Sequence, residues 1–477
     1  MGKEVESKGY SAEETAEFHK RLEQETLFVK NLFDNNLFSK GNHKIGIELE
    51  AWLINNDMLP SPYSPKFLRE LNHSQVVPEI AKFNFEINSS PYELEENCFK
   101  KLHHEMDSIW SECEKKAQSD NKHAMLVGTL PTLRPHMLEM KYLSPQNRYS
   151  IMNEQVMKLR EGRPLYIRLE GRDNLYMYMD SVIAECAATS LQVHLTIDQE
   201  HAKRYYNASM IASPFMIALC ANSPYFFGKE LWDESRIAIF EQSVDLQTKT
   251  TCGKNIKRVT LGNGYIKESM FELYLENLID YPTLLAELRD GEPEDLSHLS
   301  LQNGTIWRWT RPIIGKNEDG SYHLRLEQRS PSAGPTLIDS IANSAFFIGL
   351  VDYLATHEIV PEDIITFDEL IHNFYKSSRQ SFFCEVKWLD GKMYNMRDLL
   401  EHEIFPNVKK ALIKRGIAHD DIVKYLDNVI YPRIKKGVNG AIWQKAFIHM
   451  HGKRFQELLE AYLKNQYSGL SVHEWEL

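Results

Sequence analysis

Glu48 and Glu50 lie in Lys44-Ile-Gly-Ile-Glu-Leu-Glu-Ala-Trp-Leu-Ile54, a run in which apolar and polar residues alternate. Successive side chains of a strand point to opposite faces, so Ile45, Ile47 and Leu49 share one face and Gly46, Glu48 and Glu50 the other. Three more runs read the same way. Asn84, Glu86 and Asn88 oppose Phe83, Phe85 and Ile87; Gln192, His194 and Thr196 oppose Leu191, Val193 and Leu195; Arg325, Glu327 and Arg329 oppose Leu324 and Leu326. Any one of these polar faces alone reads as an ordinary solvated surface. Together they collect carboxylates, one histidine, amides and guanidiniums, with no Lys, Asp or Ser, a narrower set than a wet surface carries.

Glu48, Glu50 and Glu86 brought together would repel strongly unless cations sat among them. Carboxylate oxygens with little histidine suit Mg²⁺ or Mn²⁺ better than a structural zinc. Mg²⁺ keeps several waters and binds jointly through carboxylates and substrate phosphates, and arginines on the same face can grip phosphate or carboxylate in a bidentate fork. The combination points to phosphoryl chemistry without a P-loop, because no GxxxxGK[ST] occurs in the chain. Gly262-Asn-Gly264 reads as a turn rather than a nucleotide loop.

Strands of this kind belong to an antiparallel or mixed sheet with one covered face, and helices must supply the cover. Apolar residues at helical spacing predict a helix over about 12–35, a long charged helix over 95–118, and another from about 202 that stops before Asn222-Ser-Pro224. Glu105 on the charged helix is expected to be exposed and inert. The polar passage 263–304 reads as loops and short helices able to cover a site, and the chain beyond 355 reads as mainly helical. The expected division is a catalytic domain over 1–354 and a helical C-terminal region over 355–477, either separate or integral to the same domain.

The 477 residues have an ordinary globular composition, which sets aside disordered and fibrous classes. With 55 Lys+Arg against 67 Asp+Glu, a net charge of −12, the chain has no electrostatic reason to bind nucleic acid or an anionic membrane. Six scattered cysteines without a CxxC pair support neither a zinc ribbon nor a disulfide framework. The first 20 residues are charged and lack an apolar core, and Glu6 stands where a myristoylation motif has Ser or Thr. The most apolar stretches, 210–221 and 345–354, read as too short or interrupted to span a bilayer. The expectation is a cytoplasmic protein whose partners are small molecules, with no nucleic acid and no membrane.

The chemistry-bearing runs also occur as ordered blocks. Gly46-Ile-Glu-Leu-Glu50, Phe85-Glu-Ile-Asn-Ser-Ser-Pro91, Asn147-Arg-Tyr-Ser-Ile-Met152, Leu191-Gln-Val-His-Leu195, Ala218-Leu-Cys-Ala-Asn-Ser-Pro224 and Leu326-Glu-Gln-Arg329 follow one another over about 40–355. In that order they resemble the glutamate–cysteine ligases and related carboxylate–amine ligases, most clearly the plant and proteobacterial branch. Gly437-Val-Asn-Gly-Ala-Ile-Trp443 is similar to that family's C-terminal region. Ser330-Pro-Ser-Ala-Gly-Pro335 departs from it, standing where an acidic, Gly-rich stretch usually follows, which puts the amine acceptor in question.

The resemblance implies an α+β, glutamine-synthetase-like fold, a curved antiparallel sheet of about six strands covered by helices on its convex face. It implies that ATP phosphorylates the γ-carboxylate of L-glutamate and that the amine of L-cysteine attacks the γ-glutamyl phosphate. The product would be γ-glutamylcysteine, the first step of glutathione biosynthesis. By residue match it implies Glu48, Glu50, Glu86, His194 and Glu327 as Mg²⁺ (or Mn²⁺) ligands, with Glu50 and Arg329 catalytic. Arg329 would meet the ATP phosphates, Arg148 and Arg311 the glutamate carboxylates, and Tyr149 and Trp307 would form pocket walls. Alternation places Arg308 and Arg311 on opposite faces, and the match favours Arg311. Apart from the match, Glu327 also reads as a salt-bridge partner of neighbouring Arg325, and His194 as a structural histidine. Two other readings remain open: a ligase with a different amine acceptor, and a metal-dependent hydrolase that needs no ATP.

Overall fold

The alternating runs become the middle of one sheet. The computed structural model describes residues 4–6, 9–41, 43–249 and 255–477. Strand β1 (Lys44–Asn55) pairs with β3 (Asn84–Asn88) on one side and β6 (Leu191–Ile197) on the other, and every pairing in the sheet is antiparallel. Outward from β6 come β8 (Tyr322–Gln328) and β7 (Thr310–Lys316); outward from β3 comes β2 (Val76–Pro78). The path is therefore a curled six-strand half-barrel, β7-β8-β6-β1-β3-β2, with β4 (Tyr92–Glu93) and β5 (Lys122–Met125) added to the ends of β1.

The apolar faces pack as the period-two pattern requires. Ile45, Ile47, Leu49, Phe85, Val193, Leu195, Leu324 and Leu326 are all buried. Helix α4 (Ala202–Cys220) lies on β7 and β8, and α6 (Leu337–Ala355) packs on β6, on α4 and on α2 (Cys98–Ser119). The first helix, α1 (Ala12–Asp34), opens on a capping box in which Ser11 Oγ accepts from Glu14 N and Glu14 Oε2 accepts from Ser11 N.

The reading of one apolar stretch is corrected here. The 345–354 stretch belongs to the 19-residue α6, which by length and apolar composition is sufficient for a membrane span. It is instead a core helix, buried along nearly all of its length, and its polar residues pair inside the protein: Asp339 and Asn343 with Arg433, Asp352 with Arg415. The chain beyond 355 joins the same hydrophobic core as the sheet. Tyr462 donates its hydroxyl to the Leu126 carbonyl, and Gln466 accepts from Leu126 N, just after β5. Cys98, Cys113, Cys186, Cys220 and Cys384 are buried free thiols, and Cys252 lies outside the described residues.

Glu105 is not an exposed residue. From α2 its carboxylate accepts hydrogen bonds from Ser90 N (2.9 Å), Ser90 Oγ (2.5 Å) and Gln75 Nε2 (2.9 Å), tying down the turn that follows β3. Glu105→Ala leaves these donors without their acceptor and is expected to lower stability by about 1–3 kcal/mol, read as a shifted urea midpoint at unchanged slope. A wild-type midpoint would mean that water replaces the carboxylate at no cost.

Candidate active site

The polar face of the sheet is roofed rather than solvated. Helix α3 (Asn147–Leu159), the Val182–Ala187 turn and the 281–305 passage, which includes α5 (Ser297–Gly304), close over it. Glu50, Glu86 and Gln192 are buried and Glu327 is 0% exposed. The expectation of a single covered face therefore fails at the chemistry-bearing residues, where both faces are covered.

Register decides which groups meet. Glu50 lies directly opposite Glu86, Glu48 opposite Gln192, His194 opposite Glu327, and Glu327 opposite Arg311. Two triads result, each offering three ligand atoms within 4.8 Å of one another: Glu48, His194 and Glu327, and Glu50, Glu79 and Glu86.

The first triad is charge-compensated. His194 Nε2 lies 3.0 Å from Glu48 Oε1 and 3.8 Å from Glu327 Oε1. Arg311 donates to Glu327 through Nε (2.5 Å) and Nη2 (2.7 Å), and Arg329 Nη1 lies 3.3 Å from it. Glu327 thus pairs with Arg311 and Arg329, not with Arg325 as the sequence alone suggested. Burial would raise the Glu48 carboxyl, but the His194 imidazole holds it down at about 2. Burial likewise opposes ionisation of Glu327, and Arg311, Arg329 and His194 outweigh it, keeping that carboxyl below the usual range.

The second triad has too little positive charge around it. Burial, then the charges of Glu48 and Glu50, push Glu86 up to about 8. Burial, then Glu86 and Glu50, raise Glu79 well above the carboxylate range. Glu50 is raised by burial, offset in part by Arg329 and by the backbone amide of Ser190, which donates to it at 2.6 Å. Gln192 bridges the halves, donating Nε2 to Glu50 (2.9 Å) and accepting from Arg329 Nη1 (2.5 Å). The donor sets, five carboxylates and one imidazole, fit hard divalent cations, which would supply the charge that the second triad lacks.

Two cavities meet at Glu48, which lines both. The larger, of 840 Å³, carries Lys40, Lys44, Lys316 and Arg325 in its basic far wall beside Glu318 and Asp319; burial and Arg325 push the His323 imidazole there down to about 4, so it adds no charge. The smaller, of 290 Å³, brings together Arg148, Arg289, Arg311 and Arg329, with Tyr149 and Trp307 among its aromatic walls. Arg148 donates to the Tyr149 hydroxyl from the first turn of α3. Arg329, expected at the ATP phosphates, thus lines the smaller cavity, while Arg325 faces the larger one. Arg308 reaches neither: it is fully buried, with Nη1 on Asn277 Oδ1 (2.6 Å) and Nη2 on Glu276 Oε1 (3.1 Å).

The segment that departs from the family pattern lies outside both cavities. Ser332 Oγ donates to Glu234, and a Cβ at Gly334, whose φ is +77°, would lie 2.5 Å from the Leu126 carbonyl oxygen. Ser330–Pro335 is therefore packed structure, and the smaller cavity is walled instead by α3, α5 and the 281–289 loop.

Sequence reasoning missed Glu79, Glu185, Gln192's bridge and Arg289. Glu79 follows a three-residue strand, too short to show a period. Glu185 had one signal, a lone acid within the apolar run Val182-Ile-Ala-Glu-Cys-Ala-Ala188. Arg289 sits in an aperiodic loop.

The glutamate–cysteine ligase family 2 (GCS2) model matches residues 44–370, which contain both triads. Among solved structures, the chain resembles a glutamate–cysteine ligase from Francisella tularensis in complex with AMP, at a TM-score of 0.52 and 12% identity, over 90% of each chain. It also resembles a bifunctional glutathione synthetase from Pasteurella multocida, at a TM-score of 0.51 and 10% identity, over 93% of this chain and 55% of that one. At such identities the likeness is one of fold. No curated protein sequence matches the chain.

Proposed function

The chain belongs to glutamate–cysteine ligase family 2, and from that premise we propose that it joins the γ-carboxylate of L-glutamate to the amine of L-cysteine at the expense of ATP. The observation that carries this reading is the pair of triads at the junction of two cavities, one basic and large enough for a nucleotide, one small and rich in guanidiniums.

In this reading ATP occupies the larger cavity, where Lys44, Lys316 and Arg325 offset its charge. Glutamate occupies the smaller one, its carboxylates met by Arg148 and Arg311. Glu48, His194 and Glu327 on one side and Glu50, Glu79 and Glu86 on the other would hold Mg²⁺ or Mn²⁺, which when bound neutralises phosphate charge and the charge that develops during transfer. Arg329, held by Gln192 and Glu327 in the wall of the smaller cavity, would meet the phosphoryl group in transfer. The γ-carboxylate oxygen takes the γ-phosphoryl group and ADP leaves. An amine nitrogen then attacks the acyl carbon, the carbon–oxygen bond to phosphate breaks, and inorganic phosphate departs. The roof of α3, α5 and the Val182–Ala187 turn keeps water from the acyl phosphate.

The test is phosphate release from ATP with glutamate and a panel of amino acids, with the γ-glutamyl product identified by mass. Glutamate-dependent release that rises with cysteine is expected. One thiol- or methyl-sized group discriminates by only about 1–3 kcal/mol, so 2-aminobutyrate should serve as a slower acceptor. Fast release with another amine and none with cysteine would overturn the acceptor while leaving the ligase chemistry; release without glutamate would overturn the ligase.

A further inference from the structure

The smaller cavity is lined by more carboxylates than the two triads use. Glu48 belongs to one triad, Glu50, Glu79 and Glu86 to the other, and Asp295 stands at the rim, half-exposed and 3.5 Å from Lys316. That leaves Glu185, and among the described residues no hydrogen bond or ion pair engages its carboxylate. It is not a mobile surface acid. The short helical turn Val182–Ala187 that carries it buries Val182, Ile183, Ala184, Cys186 and Ala187, and Val182 N is tied to Asn153 Oδ1 of α3 at 2.9 Å. Glu185 thus presents an unengaged carboxylate from a rigid support into the chamber proposed for the amino-acid substrates.

We propose that Glu185 receives the ammonium group of the acceptor amine and takes the proton that it must lose before it can attack. The inference rests on the ligase reading. An amino-acid acceptor arrives with a protonated nitrogen that has no free electron pair. One proton passes from nitrogen to the Glu185 carboxylate, and the released pair attacks the acyl carbon. The carbon–oxygen bond to phosphate then breaks, and the nitrogen's second proton leaves with the phosphate. The groups facing Glu185 suit this exchange: Glu50 on β1, Glu79 after β2 and Arg329 after β8.

The experiment compares two nucleophiles. Hydroxylamine is already neutral at pH 7 and needs no base, whereas cysteine does. Glu185→Gln is expected to form γ-glutamyl hydroxamate at close to the wild-type rate while its ligation of cysteine falls about 100-fold or more. The residual ligation should climb with pH as free amine accumulates, and Glu185→Asp should recover part of it. Parallel loss of hydroxamate and ligation would assign Glu185 to the metal or acyl-phosphate machinery instead, and undiminished ligation would remove it from the reaction; either overturns the proposal. If the amide variant does not fold, the same comparison on Glu185→Asp decides, since slowed ligation with preserved hydroxamate is still required. Failure of the ligase reading itself looks different, because wild-type protein would then yield neither product.

Discussion

Replacing Glu86 with Gln is expected to lower turnover by about two to three orders of magnitude and, in metal-free protein, to raise stability. The two effects have one cause. Glu86 lies directly across from Glu50 in a buried triad, so a cation held there is stabilised by a charge that the bare fold must otherwise accommodate at a cost. The amide keeps the shape and still accepts the hydrogen bond from Asn88 Nδ2, now at 2.8 Å, so the fold should survive. The sign of the pH dependence follows from the raised carboxyl, held at about 8 by burial and by Glu48 and Glu50. Below the ordinary carboxylate range Glu86 is neutral in folded and unfolded chains and costs nothing. Between that range and about 8 the folded protein retains a proton that the unfolded chain has lost, so stability falls as pH rises. In chelator, the wild-type melting temperature should therefore drop across this window, Mg²⁺ should restore it, and Glu86→Gln should make the drop shallower, since Glu50 and Glu79, raised as well, still contribute. Turnover undiminished in excess chelator, with a melting temperature indifferent to Mg²⁺, would remove the metal assignment.

Arg311→Ala should damage both substrate binding and the fold. Glu327 is 0% exposed and takes two of its hydrogen bonds from Arg311, with Arg329 farther away at 3.3 Å. Stranding one partner of a buried pair costs about 3–5 kcal/mol, and the remaining Arg329 places this case toward the lower end. The Glu327 carboxyl is held below the usual range, so its pairing stabilises the protein above the ordinary carboxylate range and is lost as pH falls through its folded value. The variant's deficit should accordingly be large at neutral pH and shrink in acid. In kinetics, the KM for glutamate should rise more than that for ATP. Arg308→Ala is the counterpart, since Arg308 is buried outside both cavities; it should unsettle the fold without a selective glutamate defect. The opposite pattern would reverse the assignment of the two arginines.

Strand geometry made much of this site legible before any tertiary structure. Backbone alternation is local, so the runs around Glu48, Glu86, His194 and Glu327 declared which side chains share a face, and β1, β3, β6 and β8 carry them there. Helical spacing did the same for α1, α2 and α4. Pairing and closure are not local. Only register set Glu50 against Glu86 and Glu327 against Arg311 rather than Arg325. Glu79 entered the second triad from the end of a three-residue strand, Glu185 from a single helical turn, and Arg289 from a loop, none of which has a period to read. Glu105, polar and on a charged helix, became a half-buried anchor because the turn after β3 happens to reach it. Which residues point the same way follows from each residue's own dihedral angles; which of them touch, and which lose their water, follows from contacts between segments far apart in the chain, and those the folded structure alone decides.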